Sequence, residues 1–158
     1  MSYPDVRYAG DGGEVTAWRR PADAPPDLDL GRVQAHYLAT GDRTDGLYGL
    51  YRWEMGPTPG GAAPHFHRRF SESFHVLSGR VHLFDGEAWV EGVPGDFVHV
   101  PPGGLHGFDN RSGEPASLLI LFVPGAPREA YFEGLPDLAD MTDEQRARFL
   151  DEHDNHDV

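Results

Sequence analysis

Two histidines and a nearby glutamate are the residues whose types and spacing most suggest chemistry. They are His65, His67 and Glu72, in the segment PHFHRRFSESFHVLSG. Residues two apart on a β-strand project from the same face, so the two imidazoles would point to one place. Glu72 lies five residues after His67, far enough for the chain to turn and bring the Glu72 carboxylate beside the two imidazoles. Two nitrogens and one oxygen on one face suit a divalent metal, but this segment alone leaves a solvated strand edge as the alternative.

A second segment, GDFVHVPPGGLHGFDN, adds a histidine behind a sharp turn. Proline and glycine at positions 101–104 predict a turn that delivers His106 to the start of the next strand. Together the two segments resemble the two motifs of the cupin superfamily. The first motif, G-x5-H-x-H-x(3,4)-E-x6-G, is matched by His65, His67, Glu72 and Gly79. The second, G-x5-P-x-G-x2-H-x3-N, is matched by Gly95, Pro101, Gly103, His106 and Asn110.

The first motif departs from the family pattern at one position. Pro59 stands where the opening glycine belongs, and Gly60 and Gly61 follow it. That position serves a loop and not a metal, so the departure leaves the ligand set complete. The resemblance implies one divalent metal ion held by His65, His67, Glu72 and His106, with open positions for water, dioxygen or substrate. Nitrogen and oxygen ligands of this kind accept Fe, Mn, Ni, Co, Cu or Zn.

Residues beside the predicted ligands supply candidates for a substrate pocket. Phe74 shares strand parity with Glu72, and Phe108 shares it with His106, so both are expected to reach the metal cavity. His36, on an early strand, is a further candidate at the barrel mouth. His75 has the opposite parity to Glu72 and is expected to point away from the metal. An apolar pocket around a metal suits an aromatic or otherwise hydrophobic small molecule.

The sequence predicts that the elements positioning these residues are short β-strands. Apolar and aromatic runs recur between glycine and proline turns from Val33 onward, which predicts a β-sandwich or small barrel. With the resemblance, we expect an all-β fold: a single double-stranded β-helix (jelly-roll, cupin) barrel over 33–125. An N-terminal arm, 1–32, would carry a short strand near Glu14–Trp18, and 56–64 would be a loop.

The last part of the chain, 126–158, is expected to be a helical tail with one or two short helices. One helix is predicted near Arg128–Leu135 and another over Thr142–Glu152. Thr142 and Gln145 have the spacing of a capping box, which favours the second of these. The final residues, HDNHDV, look frayed, so His153 and His156 are expected to be solvated.

Composition excludes several kinds of partner. The formal net charge of −13 disfavours nucleic acid and anionic membranes, which require clustered lysine and arginine. The absence of cysteine excludes disulfides and thiolate ligands. The N-terminus does not resemble a secretory signal, and the longest apolar run, LLILFV, is too short to span a bilayer. We therefore expect a cytoplasmic protein that binds a small molecule.

The resemblance to small, quercetinase-like cupins implies a metal-dependent dioxygenase acting on an aromatic or enolic, flavonol-like substrate. Glu72 would be both a ligand and the catalytic proton acceptor. Two alternatives stay open: a non-redox cyclase, isomerase or lyase acting on a polyketide- or sugar-like substrate, and a non-enzymatic binding protein. Small cupins are commonly dimers, so a homodimer is expected, with the apolar strands of Val33–Met55 as a candidate interface.

Overall fold

A computed structural model describes residues 2–158. Eleven strands and two α-helices occur in this range. The strands are β1 (Leu28–Asp29), β2 (Val33–Ala39), β3 (Gly49–Met55), β4 (Gly61–Phe66), β5 (Ser71–Ser78), β6 (Val81–Phe84), β7 (Trp89–Gly92), β8 (Phe97–Val100), β9 (His106–Asp109), β10 (Ala116–Val123) and β11 (His156–Asp157). The helices are α1 (Glu129–Gly134) and α2 (Asp143–Glu152), and Leu135–Ala139 forms a 3-10 turn between them.

The strands form two antiparallel sheets that pack face to face. The larger sheet has the order β1-β2-β3-β10-β5-β8, and the smaller has the order β11-β4-β9-β6-β7. No strand pairing within residues 2–158 joins the two sheets into a closed barrel. This architecture confirms the predicted all-β jelly roll and shows that it is an open double-stranded β-helix.

Alternating side chains explain why the larger sheet folds against the smaller one. In β3 and β10 every second residue is buried, as expected for strands with one face on a core. Tyr51 and Leu118 are completely buried, and Trp53 and Ile120 nearly so. The inward-facing apolar side chains of β2 and β3 therefore pack inside the molecule. Leu38 and Leu50 on these strands are partly exposed, and the expected dimer interface stays a prediction.

The N-terminal arm and the first loop differ from expectation. Residues 14–18 form no strand, and the arm is instead tied down by β1, which pairs with β2. The segment predicted to be a loop as far as Pro64 becomes strand β4 at Gly61. Here β4 and β9 approach so closely that a Cβ on Gly61 would lie 1.9 Å from the carbonyl oxygen of Phe108. The glycines that signalled a loop permit close strand contact instead.

The C-terminal segment contains the predicted helices but not the predicted frayed end. Helix α2 begins with the complete Thr142–Gln145 capping box. After it the chain turns back, and β11 pairs with β4, with His156 opposite Phe66 and Asp157 opposite His65. Asp154 and Asn155 are buried. The expectation of a frayed, solvated end was wrong, because the polar residues there form hydrogen bonds to the body of the protein.

Within residues 2–158, no helix is both long and apolar enough to cross a membrane.

Candidate metal centre

The four predicted ligands come from both sheets. His65 lies in β4 and His67 directly follows it, while His106 opens β9 in register with His65. His65 and His106 belong to the smaller sheet, His67 lies just past its strand β4, and Glu72 enters from β5 of the larger sheet. The predicted turn links the two motifs directly, because the backbone N–H of Gly103 donates to the carbonyl of His67 at 2.7 Å. The centre therefore forms only when the two sheets pack together.

The four side chains are buried and converge. One ligand atom from each lies within 4.8 Å of the others, and none of the four side chains is more than 5% exposed. The Oε2 atom of Glu72 lies 2.9 Å from Nε2 of His67 and 2.9 Å from Nε2 of His106. The histidine rings of His65 and His106 are 4.3 Å apart between centroids. The structure thus brings together all four residues of the predicted ligand set.

The other ring nitrogen of each histidine faces a backbone carbonyl. His65 Nδ1 lies 2.8 Å from Ala63 O, and His106 Nδ1 lies 2.9 Å from Gly104 O. His67 Nδ1 lies 2.6 Å from Asp154 O, in the C-terminal segment. A carbonyl only accepts, so each Nδ1 carries a proton and Nε2 is the nitrogen available to a metal, which would take the place of the protons that His67 and His106 donate to Glu72.

Electrostatics at the centre favour a deprotonated carboxylate. Burial alone would raise the pKa of Glu72, but hydrogen bonds from His106 and His67 outweigh burial and lower it. Burial lowers the pKa of His65 to about 4, which keeps this imidazole neutral. Burial also works against protonation of His106, yet its hydrogen bond to Glu72 and the charge of Glu72 raise its pKa overall. Glu72 therefore attracts positive charge to the middle of the cluster.

This donor set fits a divalent first-row metal. Three imidazole nitrogens and one carboxylate oxygen are ligands that Fe, Mn, Co, Ni, Cu and Zn accept. Here they are buried, and hydrogen bonds from Nδ1 to backbone carbonyls orient the imidazoles. His65, His67, Glu72 and His106 would hold such an ion.

A cavity of about 520 Å³ adjoins the candidate centre and reaches two of its residues, His65 and Glu72. Its walls are mainly aromatic and aliphatic. They include Trp53, Phe108, Ile120, Phe122, Tyr131, Phe132 and Leu135, with Asp29 and Arg32 also lining it. This volume lies in the range of pockets that bind small organic molecules.

The three residues predicted for the substrate pocket have different positions. Phe108 lines the cavity. Phe74 is buried beneath the centre, 5.8 Å from the ring of His106 between centroids, and is not among the lining residues. His36 lies outside the cavity, buried beside Glu54 with Nε2 3.5 Å from Oε2. Its neighbours Ala35 and Tyr37 in β2 face the core, so His36 projects from the outer face of the sheet.

Sequence reasoning missed the contribution of the C-terminal segment. Arg128, Tyr131 and Phe132 line the cavity, and Asp154 contacts the ligand His67. These residues lie beyond both motifs. The aromatic pair at 131–132 was the one signal that this segment packs against the barrel.

Comparison with known proteins agrees with the fold. The family described as "Cupin domain" matches residues 51–122. The quercetin 2,3-dioxygenase of Bacillus subtilis is 28% identical over 105 residues, which cover 66% of this chain and 30% of that protein. The present chain therefore spans less than a third of that relative's length.

Solved structures with this fold include two cupin-like proteins. A predicted oxalate decarboxylase from Thermotoga maritima aligns with a TM-score of 0.60 at 17% identity, over 68% of this chain and 99% of that one. An RmlC-like cupin from Shewanella frigidimarina aligns with a TM-score of 0.59 at 19% identity, over 72% of this chain and 94% of that one. At such identities the likeness concerns the fold alone.

Two facing antiparallel sheets with a buried three-histidine, one-glutamate cluster between them are the arrangement that the cupin resemblance implies. The cupin family match covers residues 51–122, which include all four residues of the cluster.

Proposed function

We propose that this protein is a metal-dependent dioxygenase acting on a small aromatic or enolic substrate. The observation that carries the proposal is the buried cluster of His65, His67, Glu72 and His106 beside an aromatic-lined cavity. The similarity to a quercetin 2,3-dioxygenase supports the reaction class. A redox-active divalent metal, when bound, would supply the coordination and electron-transfer chemistry that dioxygen activation requires.

The protein's own residues would position the substrate and exclude water. Trp53, Phe108 and Phe132 offer ring faces and edges to a planar substrate body. The cavity walls are mostly apolar, so a bound aromatic molecule would displace water from around the reacting atoms.

Glu72 would also accept a proton from the substrate hydroxyl. Both of its hydrogen bonds to histidine use Oε2, and Oε1 accepts no hydrogen bond from residues 2–158. Since Glu72 lines the cavity, Oε1 is the oxygen left to take that proton.

Reconstitution with different metals tests the proposal. The metal-free protein would be loaded separately with Fe, Mn, Ni, Co, Cu or Zn and assayed for oxygen uptake with a panel of flavonols. We expect uptake with at least one redox-active metal and none with zinc, which has no redox chemistry. Absence of uptake with every redox-active metal would contradict the dioxygenase assignment. Turnover of polyketide- or sugar-like substrates by the zinc form would then favour a non-redox cyclase, isomerase or lyase. Absence of any turnover would favour a non-enzymatic binding protein.

We further propose that the protein acts in the cytoplasm as a homodimer. The support is the resemblance to small cupins and the lack of cysteine. Sedimentation of the purified 17.5 kDa chain tests the dimer, which would have twice that mass. A monomer at micromolar concentration would contradict it, and cell fractionation tests the location.

A further inference from the structure

Arg128 is a buried cation without a carboxylate partner. Arg128 is only 3% exposed, and its guanidinium forms no ion pair with any group of residues 2–158. Its Nη1 donates to the carbonyl of His153 at 2.6 Å, while its Nε has no hydrogen-bond partner in this range. The guanidinium carbon lies 4.1–5.7 Å from the centroids of four rings, those of Phe70, Phe122, Tyr131 and Phe132.

Such an arrangement is costly unless an anion completes it. Burial lowers the pKa of Arg128, but a guanidinium remains charged at neutral pH. Aromatic faces stabilise the charge without using its N–H donors. A buried charge with no ion-pair partner is therefore suited to bind a negatively charged group that enters the adjoining cavity.

The position of Arg128 indicates where that partner would lie. Arg128 lines the same cavity as His65 and Glu72, and the charge of Glu72 acts on it. Glu72 is not its partner, because no ion pair or hydrogen bond joins Arg128 to either carboxylate oxygen of Glu72. The other arginine of the cavity, Arg32, is exposed to solvent. Arg128 is thus the cation buried beside the candidate centre.

We propose that Arg128 binds the carboxylate of the substrate, so that the ligand is an organic acid with an apolar, mainly aromatic body. This inference rests on the proposed function and narrows its substrate class from aromatic or enolic compounds to aromatic or enolic carboxylic acids. The carboxylate accepts a hydrogen bond from the guanidinium of Arg128, and the body packs against Trp53, Phe108 and Leu135. The protein as a whole carries a net charge of −13, so attraction for an anion must come from a local cation.

The test uses two probes of nearly equal shape, benzoate and benzamide, of which only benzoate is charged. Binding to the zinc-loaded protein is measured by titration calorimetry, because zinc supports no oxidation during the titration. We expect benzoate to bind about tenfold or more tightly than benzamide, as a charge-assisted hydrogen bond implies. Failure of benzoate to bind at millimolar concentration, or equal binding of the two probes, would overturn the proposal.

Substitutions separate Arg128 from the metal, which also attracts carboxylates. Arg128→Gln should abolish most of the preference for benzoate, and Arg128→Lys should keep part of it. Arg80→Gln, on an exposed arginine paired with Glu91, is the matched control and should change nothing. If Arg128→Gln keeps the full preference for benzoate, the metal is the source of that preference. If Arg32→Gln loses as much of the preference as Arg128→Gln, the source is the general charge of the cavity. Either result overturns the proposal.

Two further measurements keep the test independent of folding and of the proposed reaction. If Arg128→Gln does not fold, a crystal structure of the wild-type protein with benzoate shows whether the carboxylate contacts the guanidinium of Arg128, and any other location overturns the proposal. Metal content and oxygen uptake with a neutral flavonol are measured on the same folded variants. Wild-type oxygen uptake without any preference for benzoate defeats the carboxylate assignment alone, whereas protein that binds no metal defeats the proposed function.

Discussion

Glu72 is the residue on which the two roles proposed for the centre, metal binding and proton transfer, converge. It is the one ligand contributed by the larger sheet, and its Oε2 contacts two of the three histidines. Its pKa is lowered although it is buried, because the histidines donate to it. Changing its charge without changing its shape therefore separates the two roles.

We predict that Glu72→Gln retains metal but loses turnover by about 100-fold or more, the contribution typical of a general base. Three histidines and the amide oxygen remain as ligands, so metal content measured by mass spectrometry should stay near the wild-type value. Glu54→Gln, a half-exposed glutamate on the outer face, is the matched control. Loss of the metal together with activity would leave Glu72 a ligand only.

At the scale of elements, the segment after α2 is part of the centre. The carbonyls of His153 and Asp154, consecutive in sequence, accept hydrogen bonds from Arg128 and from the ligand His67. The Asp154 carboxylate accepts from the backbone N–H groups of Arg68 and Arg69. Because His65 and His106 use carbonyls only two residues away, His67 alone depends on a distant segment for its orientation.

We predict that deletion of residues 154–158 weakens metal binding about 10- to 100-fold, as loss of an outer hydrogen-bond partner typically does. Competition with a chromogenic chelator measures the affinity. Deletion of the exposed Val158 alone is the control. Unchanged affinity in a folded protein without residues 154–158 would show that His67 needs no partner from this segment.

The Asp154 carboxylate gives the same segment a pH-dependent contribution to stability. Burial would raise its pKa, but hydrogen bonds from Arg69, His156 and Arg68 lower it below its usual 3.8. Stability from a lowered carboxyl pKa is present above the unfolded value and is lost as pH falls through the folded value.

We therefore expect Asp154→Asn to reduce the free energy of unfolding by about 1–3 kcal/mol at neutral pH. Asparagine tolerates the positive φ of 52° at this position, so the backbone is not strained by the change. Urea titrations from pH 7 to pH 3 should show the difference from wild type shrinking at the acidic end. A difference independent of pH would mean that the charge of Asp154 is not its cause.

Sequence predicted the part of the site that local pattern specifies. The H-x-H spacing, Glu72 and the proline–glycine turn before His106 depend on strand parity and turn chemistry, which neighbouring residues determine. Arg128 and Asp154 could not be found in this way, since Asp154 meets His67 across 87 positions of the chain. His36 was assigned to the cavity mouth because sequence does not show which face of β2 is inward. The glycines at 60–61 were ambiguous between a loop and closely packed strands.

At the scale of the whole molecule, the candidate centre joins two sheets that no strand pairing closes into a barrel within residues 2–158. An ion held by His65, His67 and His106 on one side and Glu72 on the other would connect the sheets at their middle. A ligand that binds only the folded state stabilises it by mass action.

We predict that metal at 100 times its dissociation constant stabilises the protein by about 2.7 kcal/mol, a rise in Tm of about 5–10 °C for a chain of this size. Differential scanning calorimetry with and without chelator measures the shift. The His65→Ala variant should show little shift with added metal. Equal shifts in wild type and variant would place the stabilising ion elsewhere.

The central claim is that His65, His67, Glu72 and His106 bind one metal ion. Its most direct test is elemental analysis of the protein, purified without added metal and then loaded with each divalent ion in turn, beside a folded His106→Ala variant. We expect about one ion per wild-type chain for at least one metal, and a small fraction of that in the variant. Wild-type protein that contains no metal and takes up none of the six ions, or a variant that binds as much as wild type, would contradict the claim.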